Sequence, residues 1–280
     1  MIGVLIGLIG KLISTNNNLK ELHINGWLGA RWKSRERSRQ LFKNIATNTS
    51  IEHLALHSLG SKAVMFIPSC TKSLANLRNL EFFWTHIGSN GYDALGKLLI
   101  HPDCKLEGLT FVGGDFGWAE RDKISKVLKN NTSLKTLKLR LNDNTNKKDW
   151  KRFLSVSLHD NTSLTELDFS YNLSINDEVM ADIMTILTGN TTLKTLRLAH
   201  LQNVTKVGWR KIPNLYIKGS TCTLENLYLG GNKPGSRTFR EFVSACYYNK
   251  TPKKLCLKLP SNRSFNTPRV GWNPRAGIHR

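Results

Sequence analysis

Acidic residues are scarce in this sequence: its 280 residues hold 20 Asp and Glu against 41 Lys and Arg, a formal charge of +21 at pH 7. Such a surface attracts acidic proteins, nucleic acid or anionic membrane, and it says nothing about fold. Cysteine is sparse as well. Cys70, Cys104, Cys222, Cys246 and Cys256 are too few and too scattered for a disulfide framework, and none forms a C-x-x-C pair that would support a zinc site. Free thiols suit a reducing compartment, so an intracellular protein, cytoplasmic or nuclear, is expected. No apolar run reaches the length of a transmembrane helix. The phosphate-cradling G-x-x-x-x-G-K-[ST], the metal-binding H-E-x-x-H and the nucleophilic G-x-S-x-G are all missing. Asp115-Phe116-Gly117 has no kinase surroundings. No enzyme, no cofactor and no metal are therefore expected.

What the chain does have is a phrase that it rewrites. Asn161-Thr-Ser-Leu164-Thr-Glu-Leu167-Asp-Phe169-Ser-Tyr-Asn172 returns as Asn131-Thr-Ser-Leu134-Lys-Thr-Leu137-Lys-Leu139 and as Asn190-Thr-Thr-Leu193-Lys-Thr-Leu196-Arg-Leu198. Looser copies run Ser50-Ile51-Glu-His-Leu54-Ala-Leu56 and Thr223-Leu224-Glu-Asn-Leu227-Tyr-Leu229. The first apolar position falls at Leu19, Ile51, Leu77, Leu106, Leu134, Leu164, Leu193 and Leu224, with Pro252 in a degenerate ninth copy. Intervals of 26 to 32 residues leave room for a strand, a turn and a helix in each repeat.

The frame Leu-x-x-Leu-x-Leu-x-x-Asn resembles leucine-rich-repeat proteins, and its long period resembles their ribonuclease-inhibitor-like subclass, found also in NOD-like receptors and Ran GTPase-activating proteins. The resemblance implies an α/β solenoid, a horseshoe of about nine strand-turn-helix repeats with a parallel sheet on its concave face. Repeats at 1–260 form this body, the first incomplete and starting within a helix; 261–280 form a basic, proline-containing tail. Met1 to Ile13 is apolar at helical spacing, which predicts a repeat helix in preference to a targeting segment. Further helices are expected near 90–100, 119–129, 148–158, 177–188 and 237–248. Asn142, Asn172 and Asn232 fill the asparagine slot after the strand; Trp27, Leu59, Thr85, Gly114, Leu201 and Pro260 break that ladder. Asn48, Asn131, Asn161 and Asn190 sit in glycosylation-like triplets, but at one point of the repeat, where asparagine suits the left-handed turn that stops a helix.

Alternation along each strand places one set of side chains away from the core. On that face, where the resemblance places partners, the candidate partner-binding residues are His23, His53, His57, Phe83, Lys138, Arg140, Glu166, Asp168, Arg197 and Tyr228. The three histidines fall at alternate positions of adjacent strands, so their rings approach one another; solvated side chains or a pH-sensitive contact fit them better than a metal site. Lys138, Arg140, Glu166, Asp168 and Arg197 form a stripe of opposite charges that pair across strands. Phe83 and Tyr228 are aromatics on a polar face, the type enriched among interface anchors.

The expected function is a non-catalytic, monomeric protein-interaction scaffold binding an acidic macromolecule on the concave face. The rival reading is nucleic-acid or anionic-membrane binding through basic patches at 31–43 and 250–280, with Arg31, Lys33, Arg35, Arg37, Arg39, Lys43, Lys253 and Lys254 as anion-binding residues. Regulation of a small GTPase is a further alternative, although the acidic tail common in that family is replaced here by a basic one.

Overall fold

The computed structural model describes residues 2–26, 35–60, 76–114, 117–141, 147–159, 161–216, 221–249 and 254–256. It falls into two compact units, Met1–Asn142 and Asp143–Arg280. The first contains α1 (Ile2–Thr15), β1 (Glu21–Asn25), α2 (Arg35–Thr47), β2 (His53–His57), β3 (Asn79–Phe83), α3 (Gly88–Leu99), β4 (Gly108–Val112), α4 (Trp118–Asn130) and β5 (Thr136–Arg140). The second contains α5 (Lys147–Ser157), β6 (Glu166–Asp168), α6 (Asp177–Gly189), β7 (Thr195–Arg197), α7 (Lys206–Trp209), a 3-10 turn (Ile212–Tyr216), β8 (Asn226–Tyr228), α8 (Ser236–Asn249) and β9 (Lys254–Cys256).

Within each unit the strands pair parallel, each with the strand of the next repeat, and without offset. Leu54 lies beside Leu80, Leu80 beside Leu109, and Leu109 beside Leu137. Leu167, Leu196 and Leu227 are aligned in the same way in the second unit. Equivalent leucines therefore stack into continuous apolar rows that are almost entirely buried; burying one such side chain is worth about 1.5–3 kcal/mol. The helices close the rows. Tyr92 of α3 meets Phe111, which stacks on Phe82 at 5.3 Å, and Trp150 of α5 lies edge-on to Phe169 at 5.5 Å. A coil that can bury its apolar edge only against its neighbours is the unit of a solenoid. Each unit is thus a run of leucine-rich repeats in an α/β solenoid fold, as expected.

The expected helices at 90–100, 119–129, 148–158, 177–188 and 237–248 correspond to α3, α4, α5, α6 and α8 within two residues at each end. Residues 2–13 are helical as expected. In α1, Gly10 lies so close to Asn44 of α2 that a Cβ there would collide with the amide, and Ile13 is buried, while Leu8 and Leu12 are exposed. The repeat between β7 and β8 departs from the other helix-containing repeats among the described residues, with four residues of helix and a 3-10 turn in place of one long helix. Pro213 has no N–H to continue an α-helix. Trp209 and Tyr216, both fully buried, fill the volume instead, and the Asp177 carboxylate accepts from the backbone N–H groups of Thr205 and Gly208.

Two expectations about polar residues need correction. Asn131 and Asn190 do not adopt the left-handed conformation: their φ, ψ values are −76°, 134° and −82°, 126°. Their side chains carry the role. The Asn131 and Asn190 Oδ1 atoms accept from the N–H of Leu134 and Leu193, and Asn48 and Asn161 do the same for Ile51 and Leu164. The Nδ2 of Asn48 and Asn131 donates back to carbonyls of the preceding repeat, at Ile13 and Leu99. Thr85 likewise does not break the ladder, since its hydroxyl donates to Leu56 and accepts from the Leu59 N–H, joining two repeats. Asn232 does this from the expected slot, donating to Leu198 and Leu229 and accepting from Leu201. Asn142, Trp27 and Pro260 lie outside the described residues.

Because three buried backbone groups depend on it, Asn232→Ala should lower unfolding free energy by about 3 kcal/mol. Urea denaturation followed by circular dichroism measures this, and an unchanged midpoint would refute the structural role.

Candidate functional site

On the side of each sheet opposite the leucine rows, no element among the described residues of the same unit covers the strands, and it is here that the sequence-predicted binding residues are placed. In the first unit, β1 and β2 bring His23, His53 and His57 side by side, as their alternate positions predicted. The His23 ring centroid lies 5.7 Å from those of both His53 and His57. Two carboxylates complete the group. Glu21 Oε1 lies 2.7 Å from His23 Nε2 and 3.5 Å from His53 Nδ1. Glu81 Oε2 lies 3.2 Å from His53 Nε2, a nitrogen shut off from solvent whose contact is electrostatic and not an aligned hydrogen bond. The other Glu81 oxygen accepts from Thr110. The His57 ring stacks flat on Phe83, centroids 4.5 Å apart.

The electrostatics follow from these contacts. The hydrogen bond from His23, helped by the charges of His53 and His23, holds the Glu21 carboxyl below its usual value, with desolvation opposing. Partial burial, then the neighbouring His23, pushes the His57 imidazole down, while Glu81 pulls the other way. Among the described residues no group of three or more His, Cys, Asp or Glu side chains is arranged to hold a metal ion.

In the second unit the expected charge stripe appears as one tight group. Arg197 Nε donates to Glu166 at 2.8 Å, and its guanidinium carbon lies 4.0 Å above the centre of the Tyr228 ring. Burial works against the Arg197 charge, but the hydrogen bond and charge of Glu166, then Tyr228 and Asp168, raise its pKa overall. The Asp168 carboxylate also accepts from the Ser170 N–H. Lys138 and Arg140 stand on β5 in the first unit, facing the same side as Phe83 by register. Of the alternative anion-binding residues, Lys43 is exposed on α2. Arg31, Lys33 and Lys253 lie outside the described residues, as do the side chains of Arg35, Arg37, Arg39 and Lys254.

A second row of exposed aromatics was missed in the sequence. Ser58, Trp84, Tyr171 and His200 all have positive φ, between 51° and 63°, and occupy the repeat position held elsewhere by Gly113 and Gly231. There the chain leaves the strand while its N–H still donates to the next repeat: Trp84 to Val112, Tyr171 to Ala199, His200 to Gly230. A left-handed aromatic residue is strained by roughly 1–3 kcal/mol. It nonetheless leaves Trp84 60% and Tyr171 45% exposed. Tyr171 stacks on His200 at 4.5 Å. Gly113 and Gly231 make room, for a Cβ on either would run into the ring of Trp84 or His200. The recurrence of glycine at this position was the available signal.

Three cysteines among the described residues form no disulfide: Cys222 and Cys246 are buried and Cys104 is half-buried. Burial pushes the Cys246 thiol up to about 12 and the Cys222 thiol upward, the latter opposed by a backbone hydrogen bond from Leu224. Neither thiol ionises near neutrality, and the thiolate is the nucleophilic form. No helix among the described residues is long and apolar enough to cross a membrane.

Comparison with known proteins adds little. No family model matches the chain, and no curated protein matches it. Among solved structures it is similar to the actin-binding site 2 of Leiomodin-1, at 20% identity over 50% of this chain and 78% of that one, TM-score 0.42. It is similar to a Caenorhabditis elegans tropomodulin C-terminal domain at 11% identity over 88% of this chain and 93% of that one, TM-score 0.26. It is also similar to a chain of the yeast Rad7–Elc1 complex at 14% identity over 91% of this chain and 64% of that one, TM-score 0.47. None of these likenesses extends to what the chain binds.

Two predictions follow from the geometry. A group whose pKa is depressed by folding stabilises the fold above its unfolded value and ceases to as pH falls through the folded one. Glu21 and His57 are both of this kind; His57, whose ordinary value is 6.5, acts in the upper window, so thermal stability should fall on acidification from pH 7 to pH 5, whereas the Glu21 share is lost only below its ordinary value of 4.5. His57→Phe, which keeps a ring on Phe83 but takes no proton, should make that fall smaller; an identical pH profile in differential scanning calorimetry would refute the assignment. Gly113→Ala should cost about 2 kcal/mol through strain and displacement of Trp84, measured by urea unfolding.

Proposed function

We propose that this chain is a non-catalytic protein-interaction scaffold that docks a macromolecular partner on the open faces of its sheets. The observation that carries the proposal is the arrangement of those faces: strands hold aromatic rings and charged groups in preformed stacks and pairs, His57 on Phe83 and Arg197 between Glu166 and Tyr228, with no element among the described residues of their own unit covering them. Aromatic and arginine side chains fixed in place before binding lose little entropy on association and supply most of the binding energy at interfaces. A sheet face open to water does not exclude solvent or set two acid–base groups far apart in pKa, which is what hydrolytic chemistry asks of a carboxylate pair.

The finer features are part of the same proposal. The repeat length favours the ribonuclease-inhibitor-like subclass, with repeats through residue 260 and a basic tail beyond. The +21 charge favours a partner of overall acidic character. Buried free thiols favour an intracellular setting, and the chain is taken to act as a monomer.

Affinity capture from cell lysate, washed at low and high salt and with or without nuclease, tests the reading. A discrete protein should survive both treatments, and Phe83→Ala and Tyr228→Ala should each weaken its binding about tenfold or more. If neither substitution changes the affinity, these faces are not the docking surface. Loss of all binding with nuclease would assign the role to the basic patches instead.

A further inference from the structure

In a chain with twice as many cations as anions, a carboxylate has no shortage of strong partners. Glu52 pairs with Lys20 at 2.7 Å, Glu107 with Arg78 at 2.6 Å, Glu166 with Arg197 at 2.8 Å and Glu225 with Lys194 at 3.5 Å. Glu21 and Glu81 are different. Among the described residues their ion-pair partners are imidazoles alone: His23 and His53 for Glu21, and His53 for Glu81. An imidazole, unlike an ammonium or guanidinium group, carries a positive charge only when protonated. With the rings neutral, two negative charges stand on the open face of β1–β3 with no permanent cation to match them. Lys20 and Arg78, at the starts of β1 and β3, are engaged by Glu52 and Glu107. Lys138, in the same register row as Glu81, is two strands away on β5.

Beside the carboxylates the rings of His57 and Phe83 stack face to face, with exposed Trp84 next to Phe83 in the chain. Carboxylates are the chemistry that receives an ammonium or guanidinium group, through charge-assisted hydrogen bonds, and apolar rings beside them pack the aliphatic stem that carries it.

We propose that the cluster of Glu21, His23, His53, His57 and Glu81 receives a lysine or arginine side chain of a protein partner, and releases it when His23 and His53 become protonated. This rests on the docking role proposed above and names the group that docks. His53 lies between the two carboxylates, Nδ1 towards Glu21 and Nε2 towards Glu81. Once protonated it presents a donor to each of them and takes the place of the partner's cation, while His23 does the same for Glu21. His57 faces His23, Phe83 and the Glu81 charge, and its protonation adds a positive charge to the aromatic surface. The chain's overall positive charge acts at longer range and favours a docking segment whose other residues are neutral or acidic.

A random peptide display library selected on the full chain at pH 7.5 tests this. The expected result is enrichment of peptides carrying a Lys or Arg in a neutral or acidic setting. Replacing that residue by Met should cost at least tenfold in affinity, and so should Glu21→Gln combined with Glu81→Gln in the chain, the fold being checked by circular dichroism. Wild-type affinity should drop about tenfold between pH 7.5 and pH 5.5. The double variant His23→Gln and His53→Gln should lose most of the pH response, read as the ratio of its own affinities at pH 7.5 and pH 5.5, which separates the switch from a folding defect. Selected peptides that tolerate loss of their basic residue, or that bind the Glu double variant as well as wild type, overturn the proposal. If those peptides still depend on Tyr228 or Phe83, the docking role stands without it. Selection of no peptide overturns both.

Discussion

No coil of this chain can bury its own leucines; each needs an identical coil on either side, in register. Zero-offset pairing of equivalent strands is the constraint on which the rest depends, because a slip of one residue would turn every leucine of a strand to the open face. With Leu54, Leu80, Leu109 and Leu137 held in one row, the alternate residues must form rows of their own on the other side. The histidine–carboxylate cluster and the His57–Phe83 stack are direct consequences of that alignment.

The same alignment sets the polar requirements. Backbone groups between helix and strand are buried by the neighbouring coils, so they need partners that the sheet does not supply. Asparagine fills the need because one amide both donates and accepts, joining two coils through a single side chain. Where the chain leaves the strand, the demand is conformational: the N–H must still reach the next coil while the backbone turns, and positive φ meets it. Glycine does so without strain. Trp84, Tyr171 and His200 do so at a cost, and the cost holds large rings on the surface.

Charge works here on two scales. The excess of Lys and Arg produces a field that draws acidic material towards the whole surface. Contact is decided within about 4 Å, and there the open face differs from the average: the second unit presents an arginine already engaged by Glu166 and Tyr228, and the first presents carboxylates whose ion-pair partners, among the described residues, are histidines. Net charge therefore describes how a partner arrives, and the strand rows describe what it meets.

The sequence by itself determined the repeat, its period, six of the helices and which strand residues face away from the core, since each of these follows from spacing along the chain. It placed His23, His53 and His57 together for the same reason. It could not show that Glu21 and Glu81 hold His53 between them, because that contact depends on side-chain rotamers across three strands. Nor did it separate the Arg197 group from the broader stripe, because pairing partners are chosen by reach and burial as well as by sign. The extended conformation of Asn131 and Asn190, the left-handed aromatics at the glycine position, and the 3-10 turn ahead of β8 were decided by tertiary structure alone. In each case local preference gave way to what the neighbouring coil required: a hydrogen-bond partner, a clear path for the backbone, or a buried volume to fill.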